Sequence, residues 1–154
     1  MADMTEVRIV EDCVASAATA FAYINDYRNL PKYMHGIESF TPVTSQTEGV
    51  GAKFDGVIKL GPVTLTSTVE VVEWEKDKVI AIKSRKGFEI ISTWKFIEKG
   101  PNLCTIDAII DYRVGGGIAG KVLGKTIEPF VKITVQHTTD NVVSQIAKAH
   151  LDGA

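Results

Sequence analysis

Apolar and polar residues alternate with a period of two through the middle of this chain, then change to the period of a helix. Between positions 53 and 60, Phe54, Gly56, Ile58 and Leu60 share one side of an extended backbone, and Lys53, Asp55 and Lys59 share the other. The next run sets Val63, Leu65, Ser67, Val69 and Val71 against Thr64, Thr66, Thr68 and Glu70. Ile80, Ile82 and Ser84 then oppose Lys83 and Arg85, and Ile90, Ser92, Trp94 and Phe96 oppose Glu89, Thr93 and Lys95. A last long strand sets Cys104, Ile106, Ala108, Ile110, Tyr112 and Val114 against Thr105, Asp107, Asp111 and Arg113. Gly61-Pro62, Asp77-Lys78 and Gly100-Pro101-Asn102 mark the turns between them. Strands with one wet and one dry face, joined by tight turns, predict an antiparallel meander.

The flanks predict the rest. Residues 6–14 are rich in Val and Ile and suit a first strand. Ser16 stands as N-cap before an alanine-rich helix whose buried side holds Phe21 and Ile24. Asn25, Asp26, Asn29 and Pro31 break that helix, leaving residues 28–34 for a second short one before a turn at Gly36. Over residues 115–151, Leu123, Ile127, Val131, Thr134 or Val135, Thr138, Val142 and Ile146 fall on one side of a long helix, opened by glycines and interrupted at Pro129. One apolar stripe needs one large apolar partner, and the sheet is the partner available. The fold class is therefore α+β, a sheet covered by a C-terminal helix, with residues 1–154 as one domain.

Composition narrows the function classes. A hydrophobic share of 45% with 23% charged residues is that of an ordinary globular chain rather than a disordered or membrane one. A net charge of −2 offers no field to draw a nucleic-acid backbone, although Lys121, Lys125 and Lys132 make the start of the last helix locally basic. The N-terminus has early acidic residues and no apolar core, and nowhere do 18 apolar residues run together. A cytoplasmic location is expected. Cys13 and Cys104 lack metal-site spacing and read as small buried hydrophobes, while His35, His137 and His150 are scattered, so no metal or cofactor is expected.

Two glycine motifs are misleading. Residues 115–120 fit GxGxxG and residues 119–126 fit a relaxed phosphate loop, but either chemistry needs a parallel strand after the helix, and none remains. Asp107, Asp111 and Glu70 fall on the outer face and read as solubilising charges.

With these elements in order, the chain resembles the START-like, or SRPBCC, helix-grip superfamily, within it the bacterial polyketide cyclase/dehydrase branch. The resemblance covers nearly the whole chain. It is carried by VASAATAFAYINDYRNLPKYMHGI, with Phe21, Asp26, Pro31, Tyr33 and Gly36, by VEVVEWEKDKVIAIKS, by GPNLCTIDAIIDY and by the glycine-rich run into the last helix. Tyr33 stands where the family usually has tryptophan. The resemblance implies a helix-grip: a seven-stranded antiparallel curved sheet wrapped around the long C-terminal helix, with two short helices between strands 1 and 2 and a deep hydrophobic cavity between sheet and C-terminal helix. Members range from cyclases and dehydratases to lipid, quinone and hormone binders, so the fold does not choose among them.

The inward residues supply the expectation about function. Phe54, Ile58, Val69, Ile82, Trp94, Tyr112, Phe130 and Val131 form an apolar and aromatic set, with Ser67, Ser84, Thr134, Thr138 and the Tyr112 hydroxyl to orient polar groups. They point to binding of a small hydrophobic molecule that is lipid, polyketide or aromatic/isoprenoid-like. The alternative is a polyketide cyclase or dehydratase, whose proton-transfer groups would come from Tyr112, His137, Tyr23 or Arg28. A further alternative is a quinone or lipid chaperone that touches membranes transiently through residues 115–124, where Ile118, Val122 and Leu123 adjoin Lys121 and Lys125. Gly115, Gly116, Gly117 and Gly120, with Pro129 beyond them, are expected to let the first turns of the helix move as a gate.

Overall fold

The computed structural model describes residues 4–114 and 117–152, with side chains from residue 122 onward in the last helix. Its elements run β1 (Thr5–Cys13), α1 (Ala17–Asn25), a 3-10 turn (Tyr27–Asn29), α2 (Leu30–Tyr33), β2 (Ile37–Pro42), β3 (Lys53–Leu60), β4 (Val63–Glu75), β5 (Val79–Gly87), β6 (Glu89–Gly100), β7 (Leu103–Arg113) and α3 (Gly117–Asp152). The α+β helix-grip expectation holds: seven antiparallel strands in the order β1-β7-β6-β5-β4-β3-β2, two short helices between β1 and β2, and a long C-terminal helix.

Local chemistry sets the short helices. The Ser16 hydroxyl accepts from the Thr19 amide at 3.1 Å, capping α1. Asp26 ends α1 and caps the following turn through the Arg28 amide at 3.1 Å, and its carboxylate also takes the Arg28 guanidinium. Pro31 sits in the first turn of α2, where a missing N–H costs little.

In the sheet, the alternation places Phe54, Leu60, Val69, Val71, Trp94, Phe96, Ile106, Ala108 and Tyr112 inside. One of the bulges that interrupt it moves an aromatic ring. The register between β4 and β5 shifts between Val71 and Glu73, and the extra residue turns Trp74 inward where strict alternation would point Glu73. On the outer face, Arg8 grips Asp107 with two bonds of 3.1 and 2.8 Å, which holds that carboxyl below its ordinary range. Thr105, expected outside as a wet residue, is buried there, and its hydroxyl is satisfied by donating to Asp12 at 2.6 Å across the β1-β7 pair.

α3 is continuous through Pro129, where the sequence pattern leads one to expect a break. It docks at two places. Val142 and Ile146 join Ile9, Phe21, Tyr33, Trp94, Phe96 and Ile106 in one cluster. Ile127, with Leu123, Phe130 and Val131 beside it, joins Leu60 and Tyr112 in another. Burial on both sides of the proline outweighs the roughly 3 kcal/mol that proline costs a helix interior. Between those contacts, over the middle of the sheet, the inner face is not filled.

Candidate functional site

A cavity of about 180 Å³ lies in that gap. Its floor is the inner face of the sheet, including Phe54, Gly56, Ile58, Leu65, Ser67, Val69, Val71, Ile82, Ile90, Ser92 and Trp94. Its cover comes from the segment between β1 and β2: Ile24 and Asn25 of α1, Tyr27 of the turn, and Leu30, Tyr33 and Met34 around α2, with Ile37 and Phe40 of β2 closing the side. Among the described residues, no side chain of α3 lines it. The expected position between sheet and C-terminal helix is thus corrected to a position between sheet and short helices. The physical reason is that α3 spends its apolar stripe on the two clusters that flank the gap.

The walls are tightly built. Phe40 stacks on Phe54 at 4.8 Å between ring centres, Tyr27 leans on Phe54 at 5.5 Å, and Tyr33 meets Trp94 at 6.2 Å. At the rim, Asn25 joins the two sides: its Oδ1 accepts from Trp74 Nε1 at 2.9 Å and its Nδ2 donates to Glu48 at 3.0 Å. The β2-β3 loop that carries Glu48 is itself braced by the Gln46 amide, which donates to the carbonyls of Glu48 and Val50. Outside the rim an open polar depression of about 420 Å³ shares Asn25, Tyr27, Thr47 and Glu48 with the cavity and adds Asp26 and Arg28. An apolar chamber therefore opens through a polar vestibule.

The sequence-expected residues separate into two groups. Phe54, Ile58, Ser67, Val69, Ile82 and Trp94 line the cavity. Tyr112, Phe130 and Val131 lie instead in the cluster around Leu60 and Ile127. Ser84 accepts from the Ile90 amide at 3.0 Å, Thr138 accepts from the His35 amide at 3.1 Å, and Thr134 is half-buried on α3 outside the lining. Alternation identifies which residues face inward, but the curl of the sheet decides which inward residues meet side chains and which meet space.

None of the four proton-transfer candidates lines the chamber. Tyr112 is buried beside Phe88, and burial raises its phenol above the ordinary value of 10.0. His137 is exposed and stacks on His35 at 4.5 Å. Arg28 is exposed in its pair with Asp26 and reaches only the vestibule. The Tyr23 hydroxyl is buried without a hydrogen-bond partner among the described residues, and burial raises it too. The residues missed from sequence are mainly the cover, Ile24, Tyr27, Leu30, Tyr33 and Met34, whose signal was the apolar side of two short helices. The proposed gate and membrane-touching segment begin at Gly115 and Gly116, which lie outside the described residues, as do the side chains of residues 117–121. No described helix is long and apolar enough to cross a membrane.

Comparison with known proteins agrees with this architecture. A family model described as polyketide cyclase / dehydrase and lipid transport matches residues 2–147. No curated protein sequence matches the chain. Among solved structures, a protein of Thermus thermophilus superposes with a TM-score of 0.78 at 20% identity, covering 94% of this chain and 99% of its own. A START superfamily protein from Mycobacterium smegmatis gives 0.74 at 14% identity, covering 93% and 97%. The Zhui aromatase/cyclase from Streptomyces sp. R1128 gives 0.72 at 12% identity, covering 93% of each chain. At these identities the structural likeness establishes the fold alone.

Proposed function

Because the chain belongs to the polyketide cyclase / dehydrase and lipid transport family, we propose that it binds a small hydrophobic molecule in the chamber between its sheet and short helices. The observation that carries this reading is the chamber itself, about 180 Å³ of space walled by aromatic and branched aliphatic side chains where a protein interior is ordinarily filled. Apolar walls supply affinity by removing ligand surface from water, and the few polar groups orient what enters.

Catalysis ranks second for a structural reason. Proton transfer needs a titratable group within hydrogen-bond reach of the reacting atom. Among the described lining residues those groups are Tyr27, Tyr33 and, at the rim, Glu48, and burial holds the Tyr33 phenol far above neutral pH. Tyr33 is thereby a hydrogen-bond donor rather than a base.

The test is native mass spectrometry of gently purified protein together with a thermal-shift screen of apolar ring compounds, isoprenoids and fatty acids. A ligand present at a hundredfold excess over its Kd adds about 2.7 kcal/mol of stability, a rise in Tm of roughly 5–10 °C for a chain of this size. Absence of any shift across all three classes, with no co-purifying mass, would remove the reading.

A further inference from the structure

We propose that the chamber selects a neutral molecule of about one substituted ring that carries a hydrogen-bond acceptor, and that the Ser92 hydroxyl is the donor that fixes it. The inference rests on the binding reading above and names the ligand class for that site. Three observations carry it: size, charge and the destination of the polar hydrogens on the sheet side.

Size comes first. A cavity of about 150 Å³ accommodates benzene, so about 180 Å³ holds one ring with a short substituent and not an extended polyketide or acyl chain. Charge comes second. The side chains that floor the chamber from β3 to β7 are all uncharged, and the only carboxylate among the described lining residues, Glu48, is exposed at the rim and already accepts from Asn25. An ionised ligand would lose its water without gaining a counter-charge.

On the sheet side of the chamber the polar hydrogens then single out one group. Ser67 uses its proton on the Phe88 carbonyl at 2.8 Å, and Asn25 is held between Trp74 and Glu48. Ser92 differs: it is 5% exposed, lines the chamber, and its oxygen accepts from Trp94 Nε1 at 2.9 Å, which leaves its own proton free to donate. Accepting the indole N–H polarises the hydroxyl and strengthens it as a donor. Tyr33, packed against the same Trp94, makes the adjoining wall from the cover, where its phenol is a further donor. A carbonyl or ether oxygen on a ring satisfies the Ser92 proton, whereas a hydrocarbon leaves it unmet in a dry site.

Acetophenone and cumene separate these cases, because cumene replaces the carbonyl oxygen by a methyl group at nearly the same shape; benzoate adds a charge. Ligand-observed NMR titration of the full chain is expected to show acetophenone binding about three- to tenfold more tightly than cumene, with benzoate weaker than both. Ser92→Ala is expected to abolish the preference while keeping cumene affinity, and Ser92→Thr to retain it. Equal affinities for acetophenone and cumene on the wild-type protein overturn the inference without any variant, as does a preference that survives in Ser92→Ala. In both of those outcomes cumene still binds, so the broader reading stands; failure of the wild-type protein to bind any ring compound removes both.

Discussion

Cys13 and Cys104 stand opposite each other in the β1-β7 register, and both side chains are fully buried. Burial is the main reason the Cys13 thiol is pushed up to about 12, helped by Cys104 and then by Glu11 and Asp12; burial also raises Cys104. Since the thiolate is the nucleophile, these are inert packing groups under native conditions. A disulfide-exchange reagent at pH 8 should therefore titrate no thiol in the folded protein and both in denaturant. Rapid native labelling would contradict this. The buried character of the two cysteines was legible from the sequence. Their pairing was not, because it depends on a strand register joining residues that are remote in the chain.

At the scale of elements, the join between sheet and α3 rests on a small residue. Gly61, in the β3-β4 turn, has a φ of 61°, and a Cβ there would lie 2.5 Å from the Phe130 ring. Gly61→Ala therefore combines backbone strain with a steric clash and is expected to cost about 1–3 kcal/mol, seen as a lower urea midpoint with an unchanged m-value. A neutral Gly61→Ala would mean that Phe130 is not docked on this turn. The strands from β3 to β7 were readable because each keeps a period of two between unmistakable turns, and the helix because its stripe recurs over many turns. What covers the sheet was less readable. Ile24, Leu30 and Met34 announce apolar sides on short helices, yet nothing local says that these, rather than α3, roof the open part of the sheet. Trp74 was hidden by a bulge, which breaks the very alternation used to place it.

For the whole molecule, the strand order carries a consequence for how the chain reaches its native state. Every neighbouring pair in the sheet joins strands consecutive in sequence except one, β1 with β7, which brings residues 5–13 against residues 104–112. Closing that long loop from an extended chain costs roughly 3 kcal/mol more than closing a tight turn, so the hairpins of the meander can form well before it. Once they have, β1 needs only to swing back through its connection to β2, and the cost falls. The rate-limiting nucleus should accordingly lie among β3 to β6, with β1 added on the native side of the barrier. Ile9→Ala in β1 is then expected to speed unfolding and leave the refolding rate nearly unchanged, while Val71→Ala in β4 slows refolding. Stopped-flow chevrons of the two variants decide it: slower refolding of Ile9→Ala would place the remote pairing inside the nucleus.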